Sequence, residues 1–146
     1  MATPAIIGMF VSNLPAACAF WQLLGVTFAR EDPRHAHWRG SDGMQIMLNE
    51  DSLAPDMGLA QNVFTAGARP SVGIRCVSPA EVDELYARCS AAGFGAVAPF
   101  DAGWGQRYAT VLDPDGSRVD LYAPIPGARD HRPPSVSSDH LATFSA

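Results

Sequence analysis

Apolar and polar positions along this chain fall into the same order twice. The apolar run Ile6–Val11 has the length of a strand and gives way to Ser12-Asn13-Leu14-Pro15. Asn13 suits a helix N-cap, Pro15 a first turn and Gly25 a helix end, so a helix is predicted over about Ala16–Leu24. Strand composition returns at Val26–Arg30. A second apolar run, Val72–Val77, leads into Ser78-Pro79-Ala80-Glu81, a capping box with proline at the first helical position. Val82, Leu85, Tyr86 and Cys89 then recur at helical spacing. Gly93 ends that helix, and Phe94–Pro99 reads as a strand.

After each helix, short strands alternate with turn signals. In the first half these are Ala36–Arg39, the Ser41-Asp42-Gly43 turn and Met44–Asn49. In the second they are Gln106–Leu112, Asp113-Pro114-Asp115-Gly116 and Arg118–Tyr122, the turn having proline and glycine where a type I turn prefers them. Val11-Ser12 and Val77-Ser78, 66 residues apart, mark the repeat. The prediction is an α+β fold of two βαβββ modules, over about residues 5–50 and 71–123, with an irregular linker over 50–70. Either half alone is too small to bury its own sheet face, so residues 1–123 are expected to form a single domain. Residues 124–146 are rich in Pro, Ser, Asp and Arg and read as an extended tail, with His131 and His140 solvated.

Composition narrows the partners. The chain has 146 residues, 47% hydrophobic and 17% charged, which is the balance of a globular protein. A net charge of -5 disfavours nucleic acid and attracts cationic small molecules at long range. Cys18, Cys76 and Cys89 are odd in number, lack CxxC spacing and sit in apolar segments, as buried free thiols of a reducing compartment do. No apolar run approaches the ~20 residues of a membrane span, and Met1–Ile7 has no basic leader pattern. The expected location is the cytoplasm.

Three features together resemble the glyoxalase/bleomycin resistance protein/dioxygenase (vicinal oxygen chelate) superfamily. They are the paired βαβββ order, the helix end Phe20-Trp21-Gln22-Leu23-Leu24-Gly25, and Asp113-Pro114-Asp115-Gly116-Ser117-Arg118-Val119-Asp120-Leu121. Within it, Val82-Asp83-Glu84-Leu85-Tyr86-Ala87 and Trp104-Gly105-Gln106-Arg107-Tyr108 are most similar to bleomycin-binding resistance proteins. The resemblance implies curled sheets around a cleft, a homodimer, and in metal-dependent members one ligand from each of four strands. Carried over, those positions are Ile6, Met47, Val72 and Asp120. Only Asp120 offers a ligand for a hard or borderline cation, so no cofactor is expected and a divalent metal is the minority alternative.

Other chemistry is sparse. His35 and His37 point to one side of a strand and, with Asp120, are the weak candidates for an atypical metal site. Asp120 is also a candidate general base. No GxSxG, nucleotide-binding glycine loop or recognisable Cys–His pair is present. Trp21 is expected in the core, and Trp38 either in the core or on the cleft wall. Trp104, between Gly103 and Gly105, suits stacking of a flat or cationic group. It stands one residue further from the turn than the corresponding tryptophan of the bleomycin binders. Alternation places Ile6, Gly8, Phe10, Gln45, Met47, Asn49, Val72, Ile74, Arg118, Asp120 and Tyr122 on the inner face. The expected ligand-binding set is Phe10, Trp38, Met47, Trp104, Arg118, Asp120 and Tyr122. The leading functional expectation is metal-free sequestration of a hydrophobic, aromatic or cationic small molecule such as an antibiotic or secondary metabolite. The alternatives are a metal-dependent lyase or dioxygenase with an atypical site, and a degenerate dimerisation domain.

Overall fold

In the computed structural model, which describes residues 5–57 and 71–128, each half of the chain forms a mixed four-stranded sheet with one helix against it. Module one runs β1 (Ile6–Val11), α1 (Leu14–Leu23), β2 (Ala29–Asp32), β3 (His35–Arg39) and β4 (Gln45–Glu50). Short 3-10 turns at Asp51–Leu53 and Pro55–Met57 open the linker. Module two runs β5 (Val72–Arg75), α2 (Pro79–Ala91), β6 (Gly95–Ala102), β7 (Gln106–Leu112) and β8 (Arg118–Pro124). The sheet orders are β1-β4-β3-β2 and β5-β8-β7-β6, with the first strand of each parallel to the last. The two-module α+β architecture expected from the sequence is therefore present, as two sheets that do not join. His131 and His140 lie outside the described residues.

The helix ends are set by local chemistry. Asn13 Oδ1 accepts from the Ala16 amide at 2.9 Å, so α1 starts at Leu14, two residues before the predicted start. Ser78 Oγ accepts from the Glu81 amide at 3.2 Å, while Glu81 reaches back to the Val77 amide at 2.6 Å. The Asn13 and Ser78 pairings each satisfy an amide that the first helical turn leaves without an internal partner, and the Glu81 contact ties the residue before the cap to that turn. Gly25 and Gly93 take the left-handed conformation that ends each helix.

Three hairpins use a similar turn. At Gly40–Met44, Ala102–Gln106 and Asp113–Ser117 the fourth residue is a glycine with φ near +80 to +90°, namely Gly43, Gly105 and Gly116. In the last, buried Asp113 accepts from the amides of Asp115 (2.9 Å) and Ser117 (2.7 Å). Asp115 in turn accepts from the Ser12 amide at 3.1 Å, tying the module-two turn to the start of α1. The modules also meet where Arg88 donates to the Leu23 carbonyl at 3.1 Å and where the Phe20 and Phe94 rings pack edge-on, 5.1 Å apart.

Alternation divides each sheet into a helix-facing side and an open side. Met9, Val11, Ala36, Ile46 and Leu48 fill the first in module one; Ala109, Val111, Val119, Leu121 and Ala123 do so in module two. Trp21 is fully buried among them, as expected. One expectation is corrected here. Val72 and Ile74 pair with Val119 and Leu121 and belong to the helix side, whereas Gly73 and Arg75 share the open side with Asp120 and Tyr122. The helix caps Asn13 and Ser78 stand 65 residues apart, not 66. With a side-chain period of two, that single residue reverses the face assigned to β5.

Candidate ligand-binding faces

Module two presents two cross-strand lanes on its open side. Gly73, Asp120 and Thr110 form one, and Arg75, Tyr122, Tyr108 and Phe100 form the other. Trp104 closes the second lane from the β6–β7 turn. Its ring lies 5.5 Å from Tyr108 and 6.4 Å from Phe100, and Phe100 is 5.9 Å from Tyr108, all edge-on. Trp104 Nε1 donates to Gln106 Oε1 at 2.9 Å. Phe100 and Trp104 remain 40% and 47% exposed, a large apolar area left facing outwards. Because Trp104 sits in the turn before Gly105, strand alternation does not determine its direction, and the one-residue offset does not remove it from this face.

Asp120 is held in the adjoining lane. Its Oδ1 accepts from Thr110 Oγ1 at 2.9 Å and from Arg118 Nη2 at 3.0 Å. Two donors on that oxygen describe a hydrogen-bonded acid that orders the sheet surface. The Tyr108 phenol is pushed above its usual range, first by burial and then by neighbouring Asp120, so it remains a neutral hydrogen-bonding group near pH 7.

Module one offers different chemistry. Gly8, Met47 and His37 share a lane, as do Phe10, Asn49 and His35. His35 Nδ1 and Asn49 Oδ1 are hydrogen-bonded at 2.7 Å. The two imidazoles stack with centroids 6.1 Å apart. Trp38 points the other way and packs against the core beside Ile46, so it is not part of this face.

The four residues that the resemblance marks as metal positions do not come together as a donor set. Ile6 is apolar and half-exposed, Met47 offers only a thioether, Val72 faces the core, and Asp120 is engaged by Thr110 and Arg118. His35 and His37 lie on the module-one sheet and Asp120 on the other. Among the described residues no group of three His, Cys, Asp or Glu side chains is placed to hold a metal. The structure thus brings Trp104, Arg118, Asp120 and Tyr122 to one sheet and Phe10 and Met47 to the other. Phe100, Tyr108, Thr110 and Arg75 were missed from sequence. The three-residue turn at Gly103–Gly105 was the available signal, since it sets Phe100 across from Tyr108.

Two βαβββ modules, each with a helix on one face of its four-stranded sheet, define the class of fold. The chain belongs to the Glyoxalase/Bleomycin resistance protein/Dioxygenase superfamily, whose family profile matches residues 4–121. Among solved structures it is similar to a family enzyme from Burkholderia phytofirmans PsJN, at 22% identity and TM-score 0.75 over 85% of this chain and 100% of that one. A family member from Nocardioides matches at 23% identity and TM-score 0.68, covering 88% of this chain and 87% of its own. Lactoylglutathione lyase from Agrobacterium tumefaciens matches at 17% identity and TM-score 0.64, covering 84% and 94%. At these identities the likeness concerns the fold alone. No curated protein matches the chain. No helix among the described residues is long and apolar enough to cross a membrane.

Proposed function

We propose that the protein binds a flat, largely apolar small molecule on the open side of module two, without a metal ion and without bond chemistry. The observation that carries this reading is the Phe100–Trp104–Tyr108 cluster: three rings in edge contact, with Phe100 and Trp104 exposed, beside a lane of polar groups. Aromatic walls with a few fixed polar groups are the usual make-up of small-molecule sites. Of the four carried-over positions, Val72 faces the helix side and only Asp120 has a carboxylate, which supports a metal-free mode. In that mode the protein acts by sequestration, as a bleomycin-resistance-type member, on an antibiotic or secondary metabolite.

A homodimer fits the same reading. Ile6 is 50% exposed on module one, and Val97, Phe100 and Trp104 are exposed on module two, so each open side has apolar groups to offer a second copy. Laying module one of one copy over module two of the other builds an enclosed cleft. Free Cys76 and Cys89, both buried, accord with a cytoplasmic setting.

Tryptophan fluorescence of the purified chain, titrated with naphthylmethanol and naphthoate, tests the proposal. A saturable change that Trp104→Ala abolishes is expected. Stoichiometric nickel, zinc or iron surviving dialysis would overturn the metal-free mode.

A further inference from the structure

We propose that this face selects an anion: an aromatic carboxylate whose charged end sits at Arg75 and whose rings lie on Tyr108, Phe100 and Trp104. The inference rests on module two's open side being the binding face. It reverses the expectation from net charge, because on this face the one acid among the described strand positions, Asp120, is already matched by Arg118 while Arg75 is not.

Charge on the two sides of the sheet is unequal. Arg107 pairs on the helix side with Asp83 of α2 (2.9 Å) and with Asp101 (3.1 Å). Asp115 holds the Ser12 amide, and Glu81 holds the Val77 amide. On the open strand positions of module two the one acid is Asp120, and Arg118 already matches it at 3.0 Å. Arg75 shares that side, and no carboxylate pairs with it among the described residues. On module one's open side the charge of Arg39 is offset by Asp32 at the hairpin end, beside His37 and His35. Screening over about 8 Å in physiological salt makes these local charges count for more than the net charge of -5.

Geometry gives the ligand its length. Neighbouring strands are ~4.8 Å apart, so Arg75 on β5 stands about 10 Å from the Tyr108 strand and about 14 Å from the Phe100 strand. Tyr122 lies between them as a phenolic donor. At the ends of β5 and β8, Arg75 also lines an open cleft of about 500 Å³ with Cys76, Val77, Pro124 and Pro126, leaving room for the polar end of a ligand. A guanidinium matches a planar carboxylate as a two-pronged donor. A fused ring system with a carboxylate at one end spans this lane.

The test is calorimetric titration of the full chain with three probes that share one ring system: naphthoate, naphthylmethanol and naphthylmethylammonium. Binding is expected to weaken in that order. Arg75→Ala is expected to weaken naphthoate at least about tenfold and to leave naphthylmethanol unchanged. Arg75→Lys restores part of the loss, and Arg75→Glu favours the ammonium probe. Since Arg75 is exposed, these variants keep the fold, which circular dichroism checks. Preference of the wild-type chain for the ammonium probe, or naphthoate binding indifferent to Arg75→Ala, overturns the anion inference. If naphthylmethanol still binds and Trp104→Ala abolishes it, the binding face itself stands. If none of the probes binds, both the face and its charge preference are contradicted.

Discussion

Met47 and Asp120 occupy equivalent places in the two modules. Each lies on the last strand beside a glycine of the first, Gly8 or Gly73. Around Met47 stand His37, His35 and Phe10; around Asp120 stand Thr110, Arg118 and, in the next lane, the aromatic row. On the helix side the two modules are alike, because α1 and α2 both require an apolar surface to pack against. Among the described residues the open sides face no helix, and they differ: one carries imidazole and thioether, the other rings and an ion pair. The difference separates what the fold demands from what a ligand would demand.

The sharpest way to break that separation is to exchange ring losses between the two sides. Phe20→Ala removes a fully buried ring that also meets Phe94 across the module joint. It is expected to cost about 3–5 kcal/mol in urea unfolding, with both modules lost in one transition. Trp104→Ala on the open side is expected to stay within about 0.5 kcal/mol of wild type while abolishing probe binding. A large loss of stability from Trp104→Ala would make the aromatic cluster part of the core.

Alkaline pH probes the helix side. Burial pushes the Cys76 thiol up to about 11, with Glu81 adding to the effect, and burial raises Cys18 and Cys89 as well. A folded-state value above the unfolded one means that the thiol's contribution is complete below about pH 9 and is lost as pH rises through about 11. Stability is therefore expected to fall across that window, and less so in Cys76→Ala. The chain contains no lysine, so no lysine titration overlaps that window. A pH-independent melting temperature between 8 and 11 would contradict the burial of these thiols.

Smaller effects compare the modules directly. Asn13→Ala and Ser78→Ala remove equivalent caps, and each is expected to cost about 1 kcal/mol. The glycines divide them again. An added methyl at Gly8 meets nothing within 4 Å, whereas at Gly73 it meets the Tyr122 ring at 3.3 Å. Gly8→Ala is expected to gain up to about 0.5–1 kcal/mol, and Gly73→Ala to gain less because the ring must shift. Equal gains would mean that Tyr122 is not held against β5.

Much of this architecture was legible because it depends on short-range chemistry. Ile6–Val11 and Gln106–Leu112 match their predicted strands, and Asn13, Ser78, Gly25 and Gly93 mark the helix ends. The Asp113–Gly116 turn was also readable from residue types alone. Sheet faces were harder. A repeat counted from Val11 and Val77, not from the caps, put Val72 and Ile74 on the wrong side, since a one-residue error inverts a strand. Trp38 could not be assigned without the β3–β4 register, and register also brings Arg75, Tyr122, Tyr108 and Phe100 into one lane. These are long-range pairings, which local patterns do not encode.

The three tryptophans provide the most direct test of the binding face. Trp21 and Trp38 belong to the helix side, and Trp104 to the open side. Their indole N–H signals can be followed by two-dimensional NMR while naphthoate and naphthylmethanol are titrated in. The Trp104 signal is expected to move to saturation while those of Trp21 and Trp38 stay in place. A shift of Trp21 or Trp38 with Trp104 unmoved would contradict the account.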